Sequence, residues 1–262
     1  MQYAKIFCTL IPLLGCSYYN AVDEEKTNTR ANIEHTVAKN NVKKEKYTSL
    51  NNSREHSEPS KPSKQKVVLD VPLIKQNPEL KYGCEVTSLA MVLQYAGVPV
   101  NKMTLAKEIK KDSDPIVRTN SGNIVSWGDP ADGFVGDITG KKKGYAVYDE
   151  PITDLLEKYM PERAINLTGH PFDKLLKYVE NKHPVVVWTT GNYRLPDRWE
   201  SWKHGAETIK TPLDLHAVVL VGFDNNHVYI NDPLWGKKAH KVDKKQFIAS
   251  WIALNKRAVS YT

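Results

Sequence analysis

An α+β domain is the fold class this sequence predicts, confined to residues 67–262. Three observations predict it. Near residue 66 the composition changes from polar to core-forming. Apolar residues then recur at helical spacing as far as about Asn181. From Val185 onward they gather into short β-branched runs separated by turn signals. Helical segments followed by such strand runs describe an α+β arrangement.

The elements follow in chain order. Met1 to Asn20 read MQYAKIFCTLIPLLGCSYYN, with Lys5 and the terminal amine ahead of an apolar run, Ile6 to Leu14. That run is too short to span a bilayer, which takes about 20 apolar residues. It fits the apolar region of a secretory signal. Its ending, Leu13-Leu14-Gly15-Cys16, resembles a bacterial lipobox, which implies cleavage before Cys16 and acylation of its thiol. Residues 1–16 are therefore expected to be a signal peptide and the membrane a partner through a lipid anchor. Residues 17–66 are rich in Asn, Lys, Glu, Ser and Thr. Such a stretch buries too little surface to offset its ordering entropy and is expected to be a disordered tether.

Val67 to Val71 reads as a strand stopped by Pro72. Gly83-Cys84 opens a helix to about Ala96, with Val86, Leu89, Ala90 and Leu93 on one face and Gly97 as its stop. Leu105–Lys110, Ile152–Tyr159 and Phe172–Asn181 read as shorter helices. Asp112 to Tyr148, rich in Gly and Asp, reads as a long loop insertion. Val185–Thr189, His216–Phe223 and Val228–Asn231 read as strands, the last two joined by the turn residues Asp224-Asn225-Asn226.

Composition narrows the function classes. The 262 residues are 40% hydrophobic and 26% charged, with a net charge of +7. That excess suits attraction to an anionic envelope surface. There is no basic patch interleaved with aromatics and no helix-turn-helix or zinc-finger spacing, so no nucleic-acid partner is expected. A monomer is expected. Of the three cysteines, Cys8 and Cys16 lie in the apolar N-terminal segment, leaving Cys84 alone in the globular part. A lone thiol forms neither an intradomain disulfide nor a multi-thiolate zinc site, which leaves a buried inert residue or a nucleophile.

Context favours the nucleophile. Cys84 starts a helix, where the macrodipole and free N–H groups favour a thiolate. Gly83 lets the backbone turn tightly into that helix. His216 opens the most apolar run of the chain, HAVVLVGF, and packing behind it would fix its ring. If the next strand pairs as a hairpin, Asp232 returns to the level of His216 and can orient the imidazole. Each residue has a plainer reading: a buried thiol, a structural histidine, an Asp-Pro turn. The three together are more specific than any one.

GCEVTSLAMVLQYAG, followed by HAVVLVGFDNNHVYINDPLWG, resembles the bacteriocin-processing-peptidase-like family of the papain-like cysteine peptidases. GFVGDITGKKKGYAVYDEPI is similar to the stand-alone extracytoplasmic members. The resemblance spans roughly Val67 to Trp235. It implies the papain-like fold, helices packed on an antiparallel sheet with the active site between them. It implies that Cys84, His216 and Asp232 are catalytic and that Gln76 stabilises the oxyanion, with no metal or organic cofactor. Two residues depart from the family pattern. Glu85 follows Cys84 where many relatives have Gly-Pro, and an anion there raises the thiol pKa unless its side chain points away. Gln76 lies eight residues before the cysteine, a wide spacing that Asn77 and Pro78 could take up as a loop.

His204, with Trp199 and Trp202, reads as part of an aromatic-rich loop, and His204, His216 and Asp232 together match no zinc spacing. Asn192 could lie near the cleft. The function expected is an extracytoplasmic cysteine peptidase or amidase acting on a peptide or protein. A non-catalytic binding lipoprotein and an acyl or amide transferase are the alternatives. Transporter-fused relatives cut after paired glycines. No apolar run after residue 20 reaches bilayer length, so that specificity does not carry over.

Overall fold

The computed structural model describes residues 66–262. The expected signal segment, the tether and Cys16 lie outside the described residues. In chain order the elements begin with β1 (Val67–Val68), α1 (Cys84–Tyr95), α2 (Lys102–Glu108), β2 (Lys111–Asp112), β3 (Val117–Arg118), β4 (Ile124–Ser126) and β5 (Phe134–Val135). They continue with α3 (Asp149–Tyr159), β6 (Ala164–Asn166), α4 (Phe172–Glu180), β7 (Val185–Thr190), β8 (Trp199–His204) and β9 (Glu207–Pro212). They end with β10 (Leu215–Phe223), β11 (His227–Asp232), β12 (Lys237–Asp243), α5 (Lys244–Ala253) and β13 (Ala258–Tyr261).

The main sheet is antiparallel and seven-stranded, in the order β12-β11-β10-β7-β13-β6, with β1 added to one end of β10. β7 and β10 sit inside it, which is why both are β-branched runs buried on both faces. Ala217, Val219 and Val221 of β10 face a core shared with α1, α2 and α3. Val218 and Leu220 face the opposite core, with α4 and α5. The expected helices-on-sheet picture is therefore extended, because helices cover both faces. Gly222 admits β1 to the sheet: a Cβ there would lie 2.4 Å from Val67 O.

Three expectations are corrected. The strand expected over Val67–Val71 is formed only at Val67–Val68, with one further bond from Leu69 N to Val221 O at 2.8 Å before the chain departs toward α1. The loop expected over Asp112–Tyr148 contains β2–β5. The aromatic-rich loop is the hairpin β8–β9, and β3, β4, β8 and β9 form a second, four-stranded sheet. Its small core is Trp127, Val135, Trp202 and Ile209. Few inward residues per strand left no clear alternation in the sequence.

Candidate active site

Cys84 is the first residue of α1. Gly83 before it has φ −105°, which any residue adopts. Glycine is needed there for space, since a Cβ would lie 2.6 Å from Leu80 Cβ. One turn into α1, Ser88 Oγ donates to Ala217 O at 3.2 Å. This bond docks the helix tip on β10 beside His216. The Ala217 N–H lies close enough to the sulfur to favour its anion.

His216 pairs with Thr189 in the β10–β7 ladder, and the β10–β11 hairpin, which pairs Val219 with Asn231, returns Asp232 to within reach of the His216 ring. The hairpin expected from the sequence is thus present, and it brings the two side chains together. His216 Nε2 lies 3.1 Å from Asp232 Oδ1, off the line of an ideal hydrogen bond and without another partner. His216 is 2% exposed and Asp232 is fully buried. Asp232 Oδ1 also accepts from the Leu234 and Trp235 N–H groups at 2.7 and 2.9 Å. Its Oδ2 accepts from the Tyr193 hydroxyl at 2.5 Å. Burial pushes this carboxyl up, but His216, Tyr193 and the backbone N–H outweigh it and hold the pKa at about 2. Asp232 is therefore an anion across the neutral range.

Tyr193 was not legible in the sequence. It follows Asn192 in the turn after β7, and no spacing connects it to Asp232. Burial and the Asp232 charge raise its pKa, so it stays a neutral donor. Asn192 itself braces the turn: its Oδ1 accepts from Arg194 N at 2.9 Å and Thr190 Oγ1 at 3.1 Å.

Gln76 joins the same neighbourhood through its backbone, whose N–H donates to Pro233 O at 2.9 Å. Residues 77–79 form the turn that takes up the wide spacing to Cys84, closed by Leu80 N to Gln76 O at 3.0 Å. The Gln76 side chain is 2% exposed. Its Nε2 donates one hydrogen to Lys81 O at 2.9 Å, leaving a second, and its buried Oε1 has no partner.

Glu85 does not point away from the thiol. Cys84 Sγ donates to Glu85 Oε2 at 3.4 Å, and Glu85 Oε1 accepts from Val147 N at 3.1 Å. The carboxyl is fully buried, and burial raises its pKa to about 7 against the partial offset of these bonds. Burial, then the Glu85 charge, push the Cys84 thiol well above its ordinary value. The thiolate expected at the helix tip is corrected to a neutral thiol, because desolvation and Glu85 outweigh the helix end. Cys84 retains 7% exposure.

His204 lies on the second sheet, with Nε2 3.3 Å from Asp112 Oδ2 and 3.5 Å from Asp114 Oδ2. Among the described residues, the set able to hold a cation is Asp112, Asp132 and His204, whose ligand atoms lie within 4.8 Å of one another. Asp112 is already engaged by the Asp114 and Asp129 N–H groups, so the cluster is explained as a charged brace of the hairpin tip.

The profile of the Peptidase_C39 like family matches residues 68–259. The uncharacterised protein YvpB of Bacillus subtilis (strain 168) is 39% identical over 193 residues, 73% of this chain and 74% of its own length. A crystal structure of a candidate C39-like peptidase from Bacillus anthracis superposes with a TM-score of 0.68 at 42% identity. That match covers 76% of this chain and 98% of the other.

Proposed function

The chain belongs to the Peptidase_C39 like family of papain-like proteins, and from that premise we propose that it is a cysteine peptidase or amidase in which Cys84, His216 and Asp232 act together. One observation supports this reading most: a buried imidazole–carboxylate pair, 3.1 Å apart, whose histidine lies on the strand to which the cysteine-bearing helix tip is hydrogen-bonded and whose aspartate lies on the next strand.

In the proposed reaction the resting nucleophile is a thiol. As Sγ attacks the substrate carbonyl carbon, its proton passes to the His216 nitrogen that does not face Asp232. The Asp232 anion stabilises the imidazolium and fixes its tautomer. The carbonyl electron pair moves to oxygen, where the free Gln76 amide hydrogen and the Cys84 N–H stabilise it. Collapse breaks the C–N bond, and the leaving amine takes the His216 proton. A water then gives its proton to His216 and attacks the thioester carbon, the C–S bond breaks, and His216 returns the proton to sulfur.

A second reading is favoured by the same thiol. A sulfur 7% exposed and bonded to Glu85 is also what a binding protein with an inert cleft would show. Incubating the protein with a diverse peptide library, beside Cys84→Ala, separates the two. New peptide ends with the wild type alone support the peptidase, and identical products from both support the binding protein.

The same proposal sets the domain outside the cytoplasm, tethered by acyl chains on Cys16. The support is the pattern Ile6 to Cys16 alone. No helix among the described residues is long and apolar enough to cross a membrane. Palmitate labelling that survives Cys16→Ala would refute the anchor.

A further inference from the structure

A cavity of about 250 Å³ opens at the start of β10, where Leu215, the residue before His216, forms part of its wall. Its walls include Leu215, Trp199, Lys210, Tyr148 and Arg257. Leu215 and Ala217 face the same core, so the cavity wall lies two strand residues, roughly 7 Å, from the backbone that meets the Cys84 sulfur. Consecutive Cα atoms of an extended peptide are about 3.8 Å apart. Two positions along a peptide from a carbonyl held at Cys84 span that separation.

The charges of the cavity are unbalanced. Lys210 forms no ion pair among the described residues, and its ammonium sits over the Trp199 ring, 5.3 Å from the centroid. Arg257 stacks on Tyr148 with its guanidinium carbon 3.7 Å from the ring centroid. One Arg257 N–H group goes to Asp149, the carboxylate that partners it. The lining thus carries two cations and no carboxylate, and Asp149, outside the lining, pairs with Arg257. Trp199 is 43% exposed although it lines the cavity. The apolar part of the wall, Pro212, Leu215 and Leu254, beside an unpaired ammonium suits a short aliphatic chain that ends in an anion.

We propose that this cavity is a specificity subsite for an acidic side chain of the peptide substrate, near the scissile bond, with its carboxylate at Lys210. The proposal rests on the peptidase reading for its place in the reaction, but the cavity's preference for an anion is testable without catalysis.

Two measurements on the full chain test it. The first compares kcat/KM for matched peptides bearing Glu or Gln at each position near the cleaved bond. At one position the wild type prefers Glu by tenfold or more, and Lys210→Glu abolishes or reverses that ratio. Cysteine-dependent cleavage with a ratio near one at every position overturns the subsite and leaves the peptidase standing. The second measurement uses Cys84→Ala and follows the Trp199 indole N–H signal, identified with Trp199→Phe, by NMR. Millimolar N-acetyl-glutamate N-methylamide shifts that signal, the glutamine analogue shifts it less, and Lys210→Glu removes the difference. Equal shifts, or none with either compound, overturn the proposal even if no peptide is ever cleaved.

Discussion

A carboxyl group with no exposed surface and no cationic partner among the described residues, 3.4 Å from a thiol, opposes the formation of a second anion beside it. Glu85 is in that position, and its effect on Cys84 has a definite sign. Replacing it with Gln removes the charge and keeps an oxygen for the Val147 N–H. The thiol pKa should fall, and alkylation by iodoacetamide at pH 8 should accelerate by about three- to fourfold for each pKa unit recovered, the gain in thiolate being partly offset by its lower nucleophilicity. An unchanged or slower rate in Glu85→Gln would show that burial alone, and not the neighbouring carboxyl, holds the thiol neutral. Cys84, His216 and Asp232 were all legible from residue type and position. Whether Glu85 faces the thiol was not, because sequence does not say which way a side chain points. Tyr193 was hidden for a different reason: its link to Asp232 crosses 39 residues of chain.

The elements that position the site were the most legible. The apolar face of α1 and the β-branched runs of β7 and β10 have one dominant pattern each, because they are buried throughout. α5, β12 and β13 went unread. β12 buries only Val242, too little for an alternation. α5 buries Phe247, Ser250 and Trp251, a spacing of three and one that fits a helix face, but Ser250 interrupts its apolar signal. Its start was signalled by Asp243 followed three residues later by Gln246, and Asp243 does accept from Gln246 N at 2.8 Å. Ser250 joins α5 to β7, bonding Thr189 Oγ1 at 2.8 Å and the Thr190 N–H at 3.1 Å. Thr189 is the β7 partner of His216. Ser250→Ala leaves that buried N–H unsatisfied and should destabilise the fold by about 1–3 kcal/mol in urea unfolding. A loss below about 0.5 kcal/mol would mean that another group takes over the bond.

Across the whole molecule, the site is a long-range assembly. The Ser88–Ala217 bond joins residues 129 positions apart, so the thiol meets the imidazole strand only when the entire domain has folded. Its buried charges should then shape global stability against pH. The Glu85 carboxyl is near 7 when folded and about 4.3 when unfolded, so the folded state holds the extra proton between those values. Stability from this group falls as pH rises through that window, by about 4 kcal/mol at most. Asp232 acts in the opposite sense: its carboxyl is near 2 when folded, so its contribution is complete above about 4 and is lost as pH falls through 2. Urea midpoints at pH 5 and pH 8 should therefore differ more in the wild type than in Glu85→Gln. Equal differences would place the Glu85 proton elsewhere.

Chemical rescue tests the central claim most directly, since it asks whether the imidazole of His216 is the base for the Cys84 thiol. With a peptide that the wild type cleaves, His216→Ala should lose about 10²–10⁴-fold in kcat, the share general acid–base catalysis supplies. Added imidazole should restore part of that loss and should restore nothing in a protein that also carries Cys84→Ala. Cleavage by His216→Ala at the wild-type rate would contradict the account.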